Sequence, residues 1–295
     1  MPNGNRATEF RKLISKPGIV SMPGVYDCLT VKIVEATGFP AAFIGDGAVS
    51  VSRLGLTDFG FVAMGEIVDR AREVCNCTAI AVIVDIGTGY GNALNIQRTV
   101  SEIESTGACG VFFEDQTWPK KCGHLEGRSL ISKAEMSSKI RAAADARDNQ
   151  DFMIVTRTDA LAIEGWDETI MRANTYGEAG ADMVFIDALE SLDDLKRAPQ
   201  EISYPMMVNM LEGGKTPLVS ASDLEQMGYK IVIWPETLMY AGFPAMMKVA
   251  TELEQYGELS SATLSNMSNF REVSNFLGLK DLYELEAKYS TNIGS

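Results

Sequence analysis

Eight short apolar runs recur along the chain, and amphipathic stretches fill the intervals between them. The runs are Ile19–Met22, Ala42–Ile44, Ile80–Val84, Gly110–Phe113, Phe152–Val155, Met183–Ile186, Met206–Val208 and Ile231–Trp234. Each is short enough for a strand buried on both faces. Between most of them the apolar residues take helical spacing, as in Leu29–Ala36, Met64–Val74, Ile96–Ser105, Ala134–Ala144, Glu168–Ala179 and Ser222–Met227. Strand followed by helix, repeated about eight times, is the pattern of a parallel (β/α)₈ barrel, an α/β fold. The length of 295 residues suits one such barrel, which needs about 250. An open doubly wound sheet is the competing arrangement, but no GxGxxG follows the first run, which weakens a dinucleotide-binding version. The chain therefore reads as a single barrel domain over 1–295. Thr237–Tyr256 and Phe270–Tyr289 read as helices beyond what barrel closure needs, and oligomer contacts are the expected use.

The net charge of −14 argues against nucleic acid, because phosphate binding needs clustered Lys and Arg. It argues equally against an anionic membrane surface. No run of apolar residues is long enough to span a bilayer, and MPNGNRATEFRKLI has no signal-peptide core. The cysteines are Cys28, Cys75, Cys77, Cys109 and Cys122, and His124 is the sole histidine. Their spacing fits no zinc site, and scattered thiols fit a reducing compartment, so a cytoplasmic location is expected.

Polar residues sit where the apolar runs end. Asp46 follows the second, Asp85 the third, Glu114 and Asp115 the fourth, Arg157 and Asp159 the fifth, Asp187 the sixth and Asn209 the seventh. In a barrel those ends build the active site. Carboxylates from separate strands, with water, suit Mg²⁺; the same acids also serve as helix caps or ion pairs elsewhere. Arg157 is either a carboxylate clamp or the partner of Asp159. Asn209 and the run Glu212-Gly213-Gly214-Lys215-Thr216-Pro217 offer amide and backbone contacts, or an ordinary turn. Thr88-Gly89-Tyr90-Gly91-Asn92 is a Gly-rich loop through which backbone N–H groups can approach an anion. The loop from Pro119 to Arg128 is long for its position and carries Lys120, Lys121, Cys122 and His124. Cations beside Cys122 are expected to lower its pKa, and the thiol could act as nucleophile or as acid and base.

Together these residues resemble the isocitrate lyase/phosphoenolpyruvate mutase superfamily. The resemblance runs from Pro23-Gly24-Val25-Tyr26-Asp27 to the helix near Glu284–Tyr289 and is strongest in Lys120-Lys121-Cys122-Gly123-His124. Glu114-Asp115-Gln116, Arg157-Thr158-Asp159-Ala160 and Asn209 support it. It is similar to the short forms: 2-methylisocitrate lyase, 2,3-dimethylmalate lyase, oxaloacetate hydrolase and carboxyphosphonoenolpyruvate mutase. The resemblance implies a Mg²⁺-dependent retro-aldol carbon–carbon lyase acting on a small 2-hydroxy or 2-oxo acid, with Mn²⁺ as the alternative metal. It further implies Asp85 as direct metal ligand, with Asp58 and Glu114 acting through water. Cys122, His124, Lys121 and Arg157 would be catalytic, with Cys122 protonating the carbanion. Tyr26, Gly45, Asp46, Gly47, Gly123, Arg157, Asp187 and Asn209 would bind substrate. A homotetramer that exchanges a C-terminal helix is implied as well.

The chain departs from that pattern inside the pocket. Relatives carry a second acid two residues after Asp85, where this chain has Gly87. Asp46 stands where a small or hydroxyl residue is usual, Asp187 where Glu is usual, and Glu236 where an uncharged residue is usual. A repurposed catalyst with altered metal dependence is the second expectation. A phosphonomutase, an oxaloacetate hydrolase and a non-catalytic member complete the set.

Overall fold

The computed structural model describes residues 4–290. Its strands are β1 (Val20–Pro23), β2 (Ala41–Ile44), β3 (Ala81–Asp85), β4 (Gly110–Glu114), β5 (Met153–Thr158), β6 (Met183–Ile186), β7 (Met206–Asn209) and β8 (Ile231–Trp234). They pair in parallel in the order β1-β8-β7-β6-β5-β4-β3-β2. The two ends of that order meet at one bridge between Gly24 and Phe43, where the Val25 N–H donates to the Phe43 carbonyl at 2.8 Å. This makes a nearly closed (β/α)₈ barrel. Gly24 is required at the seam, because a Cβ there would overlap the Pro235 carbonyl.

Alternation along each strand divides the core in two. Met22, Phe43, Ile83, Phe112, Val155, Phe185, Met207 and Ile233 pack in one cluster with Ala7 and Phe10 of the helix Gly4–Ser15. Their strand neighbours Ile44, Val84, Val111, Ile154, Ile186, Val208 and Val232 pack in the other, with helix residues such as Ile67, Ile96, Ile140, Tyr176 and Leu195. Phe112 meets Phe43 and Phe185 edge-on, with centroids 5.5 and 5.3 Å apart. Burying each ring contributes about 1.5–3 kcal/mol, and the three rings floor the cavity described below. The helices start on side-chain caps, for example Asp27 accepting from the Thr30 N–H at 2.7 Å and Ser132 accepting from the Glu135 N–H.

The structure departs from the sequence expectations at four places. β5 runs on to Thr158, so Arg157 lies within the strand, paired with Phe185 of β6. The sequence reading has no helix at Leu192–Glu201; the helix buries only Leu195 and Ala198, contains Pro199 and is otherwise mostly polar, so few apolar residues mark it. A short helix, Asp46–Val49, follows β2 and passes into a π-turn at Ser50–Leu54, closed by Gly55 at φ 67°. The expected helix Phe270–Tyr289 is two helices, Phe270–Phe276 and Leu279–Tyr289, broken at Gly278, whose φ of 88° lies in the left-handed region.

The described residues form two compact units, one ending at Tyr240 and one beginning at Ala241. The first holds the barrel. The second holds the rest of the helix Thr237–Tyr256 and the helices Ser261–Leu264, Phe270–Phe276 and Leu279–Tyr289. Within it, Glu252 accepts from the Ser260 N–H at 2.7 Å and from the Thr263 hydroxyl at 2.5 Å, tying that helix to the next. Among the described residues no helix is long and apolar enough to cross a membrane.

Candidate active site

Acids from three strand ends and one loop converge on Lys120. Its Nζ donates to Asp46 Oδ1 at 2.7 Å and to Asp58 Oδ2 at 2.9 Å, and Asp58 Oδ1 lies 2.8 Å away. Lys120 is 2% exposed. Burial alone would lower its pKa, but the charges of Asp46, Glu114, Asp58 and Asp85 overcome that and hold it well above the ordinary lysine value. The acids shift upward as well, and for them burial is the main cause. Burial, reinforced by Asp46, raises Asp58 to about 6 and pushes Asp85 well above the carboxylate range. Burial raises Glu114 to about 8, against the charges of Lys120 and Arg157.

Neither carboxylate oxygen of buried Glu114 has a hydrogen-bond partner. Asp85 Oδ1 takes the backbone N–H of Gly87 at 2.8 Å. Among the described residues no three Asp, Glu, His or Cys side chains are grouped so as to hold a metal ion by themselves. Carboxylates over a polar cavity suit Mg²⁺, which keeps several of its waters, and Glu114 beside them is a buried acid with neither oxygen partnered. A metal there would be held by one or two of these carboxylates and completed by water.

The loop after β4 covers this cluster. Cys122, Gly123, His124, Arg157, Asp187 and Asn209 line the same small cavity of about 60 Å³ as Gly45, Asp46, Gly47, Asp58, Asp85 and Lys120. Gly123 is obligatory, since a Cβ there would overlap Asp187 Oδ2 and Arg157 Nη2. The His124 Nδ1 accepts the Lys215 backbone N–H at 3.0 Å, and its Nε2 lies 3.5 Å from the Asn209 amide nitrogen. Burial lowers the His124 pKa despite Asp187, so the ring is neutral. Arg157 forms a two-point pair with Asp159, at 2.9 and 2.7 Å, and reaches Asp187 at 3.3 Å. Behind it, buried Asp115 accepts from Thr158 Oγ1 at 2.8 Å, the Asp159 N–H at 3.0 Å and Tyr176 Oη at 2.6 Å. This network joins the end of β4 to β5 and holds Asp159 against Arg157.

Several expectations change. The Cys122 thiol is not acidified: burial pushes it up to about 12, helped by Asp187 and Asp58, so it stays protonated. The flanking lysines have little effect because Lys120 is held by Asp46 and Asp58 while Lys121 points away. Lys121 Nζ donates to the carbonyls of Glu126 and Gly127, at 3.4 and 3.1 Å, and sits over the Phe59 ring. The cation in the cluster is Lys120. Tyr26 is not a cavity residue; its N–H donates to Thr30 Oγ1 at 3.1 Å in the turn before Cys28–Ala36. Glu114 is not a lining residue either and lies buried where the Lys120 and Arg157 charges reach it. Glu236 lines the cavity, and a Cβ on Gly47 would come within 3.0 Å of its Oε1. The one available signal for Lys120 was the need of several strand-end acids for an internal cation.

A family model described as phosphoenolpyruvate phosphomutase matches residues 10–254. The chain belongs to the phosphoenolpyruvate phosphomutase family. Within this family the chain is similar to 2,3-dimethylmalate lyase of Eubacterium barkeri, with 40% identity over 97% of this chain and 99% of that one. It is also similar to the chloroplastic carboxyvinyl-carboxyphosphonate phosphorylmutase of Arabidopsis thaliana, with 42% identity over 98% of this chain and 86% of the relative. A crystal structure of 2,3-dimethylmalate lyase superposes with a TM-score of 0.90 at 28% identity, covering 98% of this chain and 96% of the other. As a phosphoenolpyruvate phosphomutase family member with lyase relatives, the chain is an enzyme of the carbon–carbon lyase class.

Proposed function

We propose that the protein cleaves the C2–C3 bond of a small 2-hydroxy dicarboxylate of the 2,3-dimethylmalate kind. The observation that carries this reading is the protonated Cys122 thiol, half-buried on a lid loop and lining the same cavity as the carboxylates. Cleavage removes the proton of the C2 hydroxyl, turns C2–O into a carbonyl and leaves the C2–C3 electron pair on C3, delocalised into the neighbouring carboxylate. A neutral thiol is the group needed next, because it can deliver its proton to C3. From 2,3-dimethylmalate the products would be pyruvate and propionate. Asp58, raised to about 6, suits the task of taking the hydroxyl proton near neutral pH. Asp85, with Asp58 and Glu114, would hold Mg²⁺ or Mn²⁺, which supplies positive charge to the oxygens of a bound 2-hydroxy acid.

The other polar residues orient the substrate. Arg157, braced by Asp159, and the neutral His124 beside Asn209 offer donors to one carboxylate. Glu236 beside Gly47 repels a carboxylate on the opposite side, which favours a dicarboxylate over a tricarboxylate such as 2-methylisocitrate. Gly123 and His124 close the lid, and water is excluded as the loop packs. The reading includes a homotetramer in which the helices after Thr237 contact other copies. Incubation of the Mg²⁺-supplemented protein with 2,3-dimethylmalate, followed by proton NMR, tests it. Pyruvate and propionate in equal amounts are expected, at a higher kcat/KM than for 2-methylisocitrate. Products from carboxyphosphonoenolpyruvate and none from either hydroxy acid would overturn it in favour of the phosphonomutase reading.

A further inference from the structure

Gly87 has φ 55°, and a Cβ built on it would point at Asp46 Oδ2, 3.3 Å away, with Lys120 Cε at 3.9 Å. The space that a side chain at position 87 would enter is thus filled by the Asp46 carboxylate, which arrives from the end of β2 rather than β3. Asp46 is 5% exposed, and its Oδ1 accepts from Lys120 at 2.7 Å. The Lys120 ammonium stands among the charges of Asp46, Glu114, Asp58 and Asp85, four carboxylates against one cation. An acidic cluster alone would mean little. Here Glu114, 1% exposed and within reach of the Lys120 charge, has both oxygens unpartnered, an independent sign that this region is built for a further ligand.

We propose that Asp46 is a relocated acid of the cation site, supplying from β2 the carboxylate that position 87 does not, and that it sets the affinity of this cavity for a divalent cation. The inference rests on the reading of the cavity as a divalent-cation site. Its logic is electrostatic and spatial. Removing Asp46 lowers the excess negative charge by one and leaves Lys120 to compete with the incoming cation for fewer carboxylates. Moving the acid to position 87 returns the charge to the same space by a different strand. Asp is among the residues that tolerate the left-handed region best, so the exchange is stereochemically open. The two positions also exclude each other: with Asp46 present, an acid at 87 meets a like charge in contact; with Asp46 shortened, the neighbour that remains is Lys120, whose Cε lies 3.9 Å from the Cβ position.

The experiment measures Mn²⁺ binding to the full-length protein by electron paramagnetic resonance, without substrate, in wild type, Asp46→Asn, Asp46→Ser, Gly87→Asp and the double variant Asp46→Ser/Gly87→Asp. Asp46→Asn keeps the side-chain shape and guards against misfolding of the serine variant. The expected result is a Mn²⁺ Kd raised roughly tenfold or more in both Asp46 variants, equivalent to about 1.4 kcal/mol, and restored to near the wild-type value in the double variant. Thermal melts of the same proteins should be non-additive, with Gly87→Asp harmful alone and tolerated beside Asp46→Ser. Unchanged Kd in Asp46→Asn and Asp46→Ser, while wild type binds Mn²⁺, overturns the role of Asp46 and leaves the cation site standing. No Mn²⁺ binding by wild type overturns the cation site itself and the proposal with it.

Discussion

Glu114 shows how one buried group ties stability to pH. Burial raises it from its ordinary 4.5 to about 8, and no hydrogen bond offsets this. The folded chain therefore holds the Glu114 proton more tightly than the unfolded chain does. Stability from this group is fully present below about pH 4.5 and is lost as pH rises through about 8. In metal-free protein, Glu114→Gln should remove that loss. Urea denaturation at both ends of this range should show the variant gaining on wild type at the alkaline end by a few kcal/mol, given about 1.4 kcal/mol per pKa unit. An unchanged difference between the two ends would contradict the assignment. At this scale the sequence was informative about identity and poor about direction. Cys122, Arg157 and Asp85 were legible as pocket residues from motif and strand-end position, and Asp58 only through the family resemblance. That Lys120 and not Lys121 enters the pocket was not, because adjacent loop residues point to opposite sides and only packing decides which. The thiol's state was misjudged for a related reason: charge neighbours can be read from sequence, but the burial that outweighs them cannot.

The lid loop and its seat are the elements on which the site depends. Gly123 passes against Asp187 and Arg157 so closely that no Cβ fits, and Gly214 lets the His124 ring approach, with a Cβ there meeting Cε1 at 2.9 Å. Gly123→Ala should displace the loop, and Cys122 with it, while leaving the barrel intact. A fall of about 10²-fold or more in kcat, the scale of a lost acid–base contribution, is expected with a melting temperature close to wild type. A variant that keeps full activity would show that the loop is not seated as described. The strands themselves were legible almost residue by residue, since a barrel strand buried on both faces leaves a continuous apolar signature, as in Val82-Ile83-Val84. The helix Leu192–Glu201 was not, because it meets the barrel through little more than Leu195 and Ala198. The turn Ser50–Leu54 has no periodic signature at all.

For the whole molecule, the alternation of eight runs settles the barrel, and the acidic surface bears on partners rather than fold. The unit from Ala241 onward is different in character. Phe243, Met246 and Phe270 are 61, 61 and 86% exposed in the single chain, and Leu282 and Tyr283 are similarly open. Large apolar side chains in such number call for a covering surface. The homotetramer reading supplies one, and light scattering should give a mass about four times the 32.1 kDa of the chain. Replacing Phe243 and Met246 together by Asp should reduce that mass. A wild-type protein that runs as a monomer at working concentration would contradict the reading. The extra helices were legible as surplus to the barrel, whereas the break at Gly278 was not, since a lone Gly within a helical pattern is often tolerated.

The most direct test of the central claim follows the proton. Cleavage of 2,3-dimethylmalate in D₂O should leave one deuterium on the methylene of the released propionate, read by NMR. Cys122→Ser, which keeps the size of the side chain and loses the thiol, should slow product release by about 10²-fold or more while binding of the substrate persists. Wild-type turnover with Cys122→Ser matching it in rate and in deuterium placement would contradict the account, because the proton would then come from another group.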